Sequence, residues 1–174
     1  ADLVFLPIYY QQASLILTQC KSANYNPTFF GCDGLDGLLS IKNFDTSLCE
    51  GVMLLTPFAA DAQDQATQDF VKKYKDAYKG ETPNQFAADA YDGVMVLAEL
   101  MKKEGITADM SASDICDKLK KAISDKDFSY DGLTGTGMKW GEDGAVSKDP
   151  KAVIIKNGAY SALTADDIAA STAQ

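Results

Sequence analysis

The 174-residue chain contains no histidine. That removes every Ser-His and Cys-His catalytic pairing and every histidine-containing metal site. It contains no arginine either: all 16 basic residues are lysine. No guanidinium fork is therefore available to clamp a carboxylate or phosphate, and an anion would have to be held by backbone N–H groups, hydroxyls or Lys. Long apolar runs are also missing, since Val52–Leu55 and Val153–Ile155 fall far short of a membrane span. The four cysteines, at 20, 32, 49 and 116, form no CxxC pair, which disfavours zinc and thioredoxin-type chemistry. Four buried free thiols are the simplest expectation, with a Cys32–Cys49 bridge left open. The opening residues Ala1–Leu6 carry no basic n-region, h-region or lipobox, so any export signal is expected outside this stretch. Formal net charge is −9, which repels a phosphate backbone and argues against nucleic acid as a partner.

What is present describes a folded α/β chain. At 46% hydrophobic and 24% charged residues, it suffices for one domain with a core or for parts of two small lobes. Residues 3–8 form a continuous apolar run, as a strand buried on both faces would. Residues 11–23 have helical spacing and stop at Asn24-Tyr-Asn-Pro27, Thr28-Phe-Phe30 reads as a second strand, and the three make a β-α-β unit. Residues 51–56 predict a strand and 64–78 an amphipathic helix with Phe70, Val71, Tyr74 and Tyr78 on one side. A long helix is predicted over 85–104, with Ala87, Tyr91, Val94, Leu97, Ala98 and Met101 at the 3.6 period. Another starts near Ser111 with Ile115, Leu119, Ala122 and Ile123 inward. Met138–Trp140 predicts a short strand, and Ala152–Lys156, Asn157-Gly158 and Ala159–Ser161 predict a hairpin. The tail from Thr164 to Gln174 has little apolar periodicity and is expected to fray.

One local pattern suggests a site. Asp33 follows a strand at its carboxyl end, flanked by Gly31 and Gly34, with Tyr9 and Tyr10 after the preceding strand. Ligands of open α/β sheets bind in the crevice outside the carboxyl ends of the strands. An acid beside aromatic rings there suits an ammonium group, through charge-assisted hydrogen bonds and cation–π attraction. A turn or helix-capping role for Asp33 stays open at this stage. Other motifs carry less. Asp125-x-Asp127-x-Ser129-x-Asp131 has the spacing of a calcium loop, but Tyr130 and Thr136 stand where Gly and a bidentate Glu are needed. Gly132-Leu-Thr-Gly-Thr-Gly137 is glycine-rich without the lysine and following helix of a phosphate loop. No carboxylate pair stands out for glycosidase chemistry.

Phe5-Leu-Pro-Ile-Tyr-Tyr10, Ala13–Leu17, Pro27-Thr-Phe-Phe-Gly-Cys-Asp-Gly34 and Asn84-Gln-Phe-Ala-Ala-Asp-Ala-Tyr-Asp92, in that order, closely resemble the amino-acid-binding proteins of ABC transporters. The branch is the leucine/isoleucine/valine-binding one, with the type I periplasmic-binding-protein fold. The resemblance runs from residue 1 to about 163, against a family length about twice that of this chain, and so implies the carboxyl-terminal half. It implies Rossmann-like, parallel-sheet α/β lobes: residues 1–83 in the second lobe, 84–150 in the first, and 151–174 returning to the second, with hinges at the crossings. Asp33 would accept the ligand's α-ammonium group, Tyr9 would line the pocket with Tyr10 behind it, and Phe86, with Gln85 beside it, would face the ligand side chain. Cys32 would pack under the acid. The ligand carboxylate would be held by hydroxyls and N–H groups of the other lobe.

What the resemblance implies is a solute-binding protein and not an enzyme. It would capture a branched-chain, aliphatic or other neutral amino acid outside the cytoplasm, in the periplasm or lipid-anchored at the cell surface. Delivery would be to a membrane permease, with no cofactor and no metal. A ligand-sensing domain of a receptor or regulator is the alternative use of the fold. Because half the cleft would be absent, these 174 residues alone are expected to bind amino acids very weakly or not at all. Cut sheet edges are expected to favour self-association.

Overall fold

The structure, a computed structural model, describes residues 1–172. In chain order the elements are β1 (Leu3–Leu6), α1 (Tyr10–Ser22), β2 (Thr28–Gly31), β3 (Met53–Thr56), α2 (Gln65–Ala77), α3 (Gln85–Lys103), α4 (Ala112–Ile123), β4 (Lys139–Trp140), β5 (Val146–Ser147), β6 (Lys151–Lys156), β7 (Ala159–Ala162) and α5 (Ala165–Thr172). Three short 3-10 turns lie between β2 and β3, the first over Asp33–Leu35. The chain divides into two compact units. One is Ala1–Gln85 together with the segment from Pro150 onward; the other is Phe86–Asp149.

The first unit is built on a five-stranded sheet of order β1-β2-β3-β6-β7. β1, β2 and β3 are mutually parallel, so their carboxyl ends point the same way. β6 runs antiparallel to β3, and β7 antiparallel to β6. Parallel neighbours need a crossover, and α1 supplies it between β1 and β2. The β6–β7 pair needs only its tight turn, where Asn157 and Gly158 have φ of 52° and 74°, the left-handed pair such a turn requires. The core is aliphatic: Leu6, Leu17, Leu35, Leu38, Val52, Leu54, Val153 and Ile155 form one cluster with Ala13 and Cys49.

Two expectations for this unit are corrected. β1 is not buried on both faces: Leu3 and Phe5, which share one face of the strand, are 54% and 52% exposed, and Phe5 stacks on Phe30 of the neighbouring strand at 5.9 Å. The tail does not fray from Thr164, since α5 forms there; positions 173 and 174 of that expectation lie outside the described residues. The helix is started by a reciprocal cap: Thr164 Oγ1 accepts from the Asp167 N–H, and the Asp167 carboxylate accepts from the Thr164 N–H and hydroxyl. Lys156 of β6 then donates to Asp167. A Thr-x-x-acid signature marks this helix start in the sequence.

The second unit contains α3 beyond its first residue, α4 and the two-residue ribbon β4–β5. Its buried cluster is Val96, Leu100, Ala122 and Phe128, with Leu119, Ile123, Tyr130 and Trp140 packed on it. The apolar positions that mark α3 in the sequence are not the ones it buries. Tyr91, Val94, Leu97 and Met101 are exposed, and the buried positions are Ala88, Asp92, Val96 and Leu100. α3 is apolar around most of its circumference, so periodicity alone does not choose between its two stripes.

Candidate functional site

The ends of β1 and β2 bring Tyr9 and Asp33 together. Tyr9 is the residue before α1 and is 64% exposed. Asp33 opens the first 3-10 turn and is exposed. Between them sits Gly34, where an added Cβ would lie 2.5 Å from the Ile8 carbonyl oxygen and 3.4 Å from Tyr9 Cα. Only a glycine lets the turn lie flat on the end of the first strand. Asp33 Oδ1 accepts from the Gly34 N–H at 3.0 Å, so of the two local roles left open in the sequence the turn role holds for one oxygen, while the cap position of the 3-10 turn belongs to Cys32, which makes no side-chain cap bond. The other oxygen has no hydrogen-bond partner among the described residues. A carboxylate half engaged by its own turn is held in orientation while keeping acceptor capacity for a cation.

The turn is tied down from beneath. Gln85 is 0% exposed. Its Nε2 donates to the Asp33 carbonyl at 3.1 Å and its backbone N–H donates to Asp36 Oδ2 at 2.6 Å. The Gln85 side-chain oxygen faces Thr56 Oγ1 at 3.0 Å, and that hydroxyl also lies 2.8 Å from the Phe58 carbonyl; its single proton serves one acceptor at a time. Asp36 is 5% exposed. The Tyr160 phenol lies near Asp36, and its oxygen accepts from the Gly37 N–H at 3.3 Å. Burial, and then the negative charge of Asp36, push the Tyr160 phenol well above its ordinary range. Gly37 has φ of 119°, and a Cβ there would meet the Tyr10 ring at 2.9 Å.

These placements sort the expected site residues. Tyr9 and the Asp33-Gly34 turn meet at the sheet's end through the close backbone approach at Gly34. Tyr10, half-buried, packs its ring over Gly37 against the core, and the buried Gln85 spends its amide under the turn. Phe86 is half-buried and begins the second unit. Asp36, Thr56 and Tyr160 carry no motif in the sequence. Asp36 had one faint signal, an acid between Leu35 and Gly37 in a stretch otherwise apolar. A groove of about 480 Å³ opens on this unit, lined by Asp36, Thr56, Phe58, Asn84 and Tyr160 with α2 along one side; Asp33 and Tyr9 are not part of its wall.

The glycine-rich stretch of the second unit has an internal occupant. Asp92, 4% exposed, accepts from the Leu133 and Thr134 N–H groups at 2.9 and 2.8 Å and from the Thr134 hydroxyl at 2.8 Å. Gly132 lies so close that a Cβ would sit 2.5 Å from the carboxylate. A buried carboxylate thus takes the amides that a phosphate would need. The cysteines are free thiols, and only Cys49 is buried: Cys20 and Cys32 are half-buried and Cys116 is exposed. Burial, with a smaller contribution from Asp45, raises the Cys49 thiol to about 11, which keeps it an inert core group. Among the described residues no cluster of metal-ligating side chains occurs, and no helix is long and apolar enough to cross a membrane.

The comparisons bear on this geometry. A family model described as periplasmic binding protein matches residues 1–159. No curated protein matches the chain. Among solved structures, a leucine-binding protein LivK from Thermotoga maritima is similar at a TM-score of 0.71 and 24% identity, covering 95% of this chain and 45% of that one. The branched-chain amino acid substrate-binding protein LivJ from Streptococcus pneumoniae, solved with isoleucine, has a TM-score of 0.73 and 22% identity over 92% and 43%. A solute-binding protein of an ABC transporter from R. palustris, solved with benzoate, has a TM-score of 0.74 and 19% identity over 93% and 42%. The chain spans less than half the length of these proteins. The fold, the parallel strand ends and the match over residues 1–159 lead to one conclusion: the chain belongs to the periplasmic binding protein family, a family of solute-binding proteins, and has its type I fold.

Proposed function

We propose that this chain is part of an extracytoplasmic solute-binding protein that serves an ABC importer and takes a branched-chain, aliphatic or other neutral amino acid. The observation that supports this reading is the Asp33 carboxylate. It is exposed at the carboxyl ends of β1 and β2, beside Tyr9, with one oxygen fixed by its own turn and the other available. An ammonium group placed between that oxygen and the Tyr9 ring would gain a charge-assisted hydrogen bond and a cation–π contact. A permease receives the cargo. No chemistry on the ligand is required, so the activity is binding and release. The first unit contributes the ammonium side of the cleft, and closure on a zwitterion requires a second lobe.

The reading is specific about charge. Benzoate, which the R. palustris protein holds, has a carboxylate and no ammonium, and an anion gains nothing from Asp33. The test is titration calorimetry of the protein at its encoded length with L-isoleucine, L-leucine, L-valine and benzoate. The expected result is binding of at least one amino acid and none of benzoate. Binding of benzoate alone would overturn the assignment of Asp33 to an ammonium group.

A further inference from the structure

The Asp33 turn is held by a residue that sits where the chain leaves the first unit. Gln85 is the last residue of Ala1–Gln85 and the first of α3, and it makes two bonds to the turn: Nε2 to the Asp33 carbonyl and N–H to the Asp36 carboxylate. The Asp33 carbonyl also accepts from the Asp36 N–H at 3.0 Å, which closes a small ring of hydrogen bonds through residues 33, 36 and 85. Thr56 adds the end of β3 to the same point. From the far side the Tyr160 oxygen of β7 accepts from the Gly37 N–H, the residue next to Asp36. A buried carboxylate is costly unless its lone pairs are filled. Here one donor comes from a distant part of the sequence, the Gln85 N–H.

We propose that Asp36 is a positioning residue for ligand binding: through Gln85 it fixes the height and orientation of the turn that carries Asp33. This rests on the reading of Asp33 as the ammonium acceptor. Asp36 is 5% exposed and does not itself meet the ligand. Its effect is on where the Asp33 oxygen stands, and a charge-assisted hydrogen bond loses strength steeply when its acceptor moves. Two changes break the ring without altering shape. Asp36→Asn replaces the carboxylate that accepts from the Gln85 N–H with a neutral amide, a weaker acceptor. Gln85→Glu turns the donor to the Asp33 carbonyl into an acceptor facing an acceptor.

The experiment uses the protein at its encoded length and two readouts. Amide hydrogen exchange comes first, with no ligand present. Asp36→Asn should speed exchange at Gln85 and at residues 34–36 by about tenfold or more, the loss of one charge-assisted hydrogen bond, and leave the β3 and β6 amides unchanged. Unchanged exchange at those positions, or equal acceleration throughout the first unit, overturns the proposal, the latter because Asp36 would then be a general stabiliser. Calorimetry with L-isoleucine, L-leucine and L-valine comes second. Both variants should bind about tenfold more weakly, with the order of the three ligands kept. Wild-type affinity in both variants overturns the proposal. If the unaltered protein binds none of the three, the functional reading fails while the exchange readout still decides the clamp. Should Asp36→Asn not fold, Gln85→Glu is judged by the same two criteria.

Discussion

Each unit buries one aspartate and spends it on backbone, yet the two differ in what surrounds it. In the first unit Asp36 sits beneath a five-stranded sheet's end, inside a unit whose aliphatic core already fixes the strands. In the second unit there is no such sheet: a two-residue ribbon and two helices leave Tyr91, Val94, Leu97 and Met101 of α3 exposed. Asp92 there pins the Leu133-Thr134 turn to α3 by three hydrogen bonds. A polar pin therefore has different work in the two places. With a sheet above it, it orients a loop; without one, it carries much of the unit's integrity.

The sharpest way to break that contrast is to remove the second unit's pin. Asp92→Ala strands three buried donors and should cost the second unit about 3–5 kcal/mol, read by urea denaturation, with hydrogen exchange showing the loss confined to residues 86–149. A cost below about 1 kcal/mol would contradict the role given to Asp92. Next come the two stripes of α3. Leu100→Ala, at 0% exposure, should destabilise by about 2–5 kcal/mol, whereas Val94→Thr, at a position 66% exposed, should stay within about 0.5 kcal/mol. Equal effects would mean that the buried stripe is wrongly assigned. Gly34→Ala forces a Cβ against the Ile8 carbonyl and should cost about 1–3 kcal/mol through strain, while weakening ligand binding by lifting the Asp33 turn.

The smallest effect is a pH response. The Lys156 and Thr164 hydrogen bonds hold the Asp167 carboxyl down at about 2, below its value in an unfolded chain. The unfolded state therefore binds the proton more readily, and this contribution to stability is present above about pH 4 and is lost as pH falls from there toward about 2. Amide exchange in α5 should rise across that window, and Asp167→Asn should flatten the response.

Much of the fold was legible because its signals are local. Asn157-Gly158 specifies a hairpin, Asn24 in the left-handed region follows the end of α1, Pro57 follows β3, and apolar strand runs stand out. The edge position of β1 and the inward face of α3 were not legible, since both depend on which neighbour covers which side. Asp33 and Tyr9 were found because they follow strand ends. Asp36, Thr56 and Tyr160 were not, because their partners lie 29 to 123 positions away along the chain and a hydrogen bond at that separation leaves no spacing to read.

The central claim is that Asp33 takes the ligand's ammonium group. Calorimetry of L-isoleucine against the unaltered protein and Asp33→Ala, both at encoded length, tests it most directly. The account predicts a loss of about 2–5 kcal/mol of binding free energy in the variant, with its melting temperature unchanged. Isoleucine binding equally well to both proteins would contradict it.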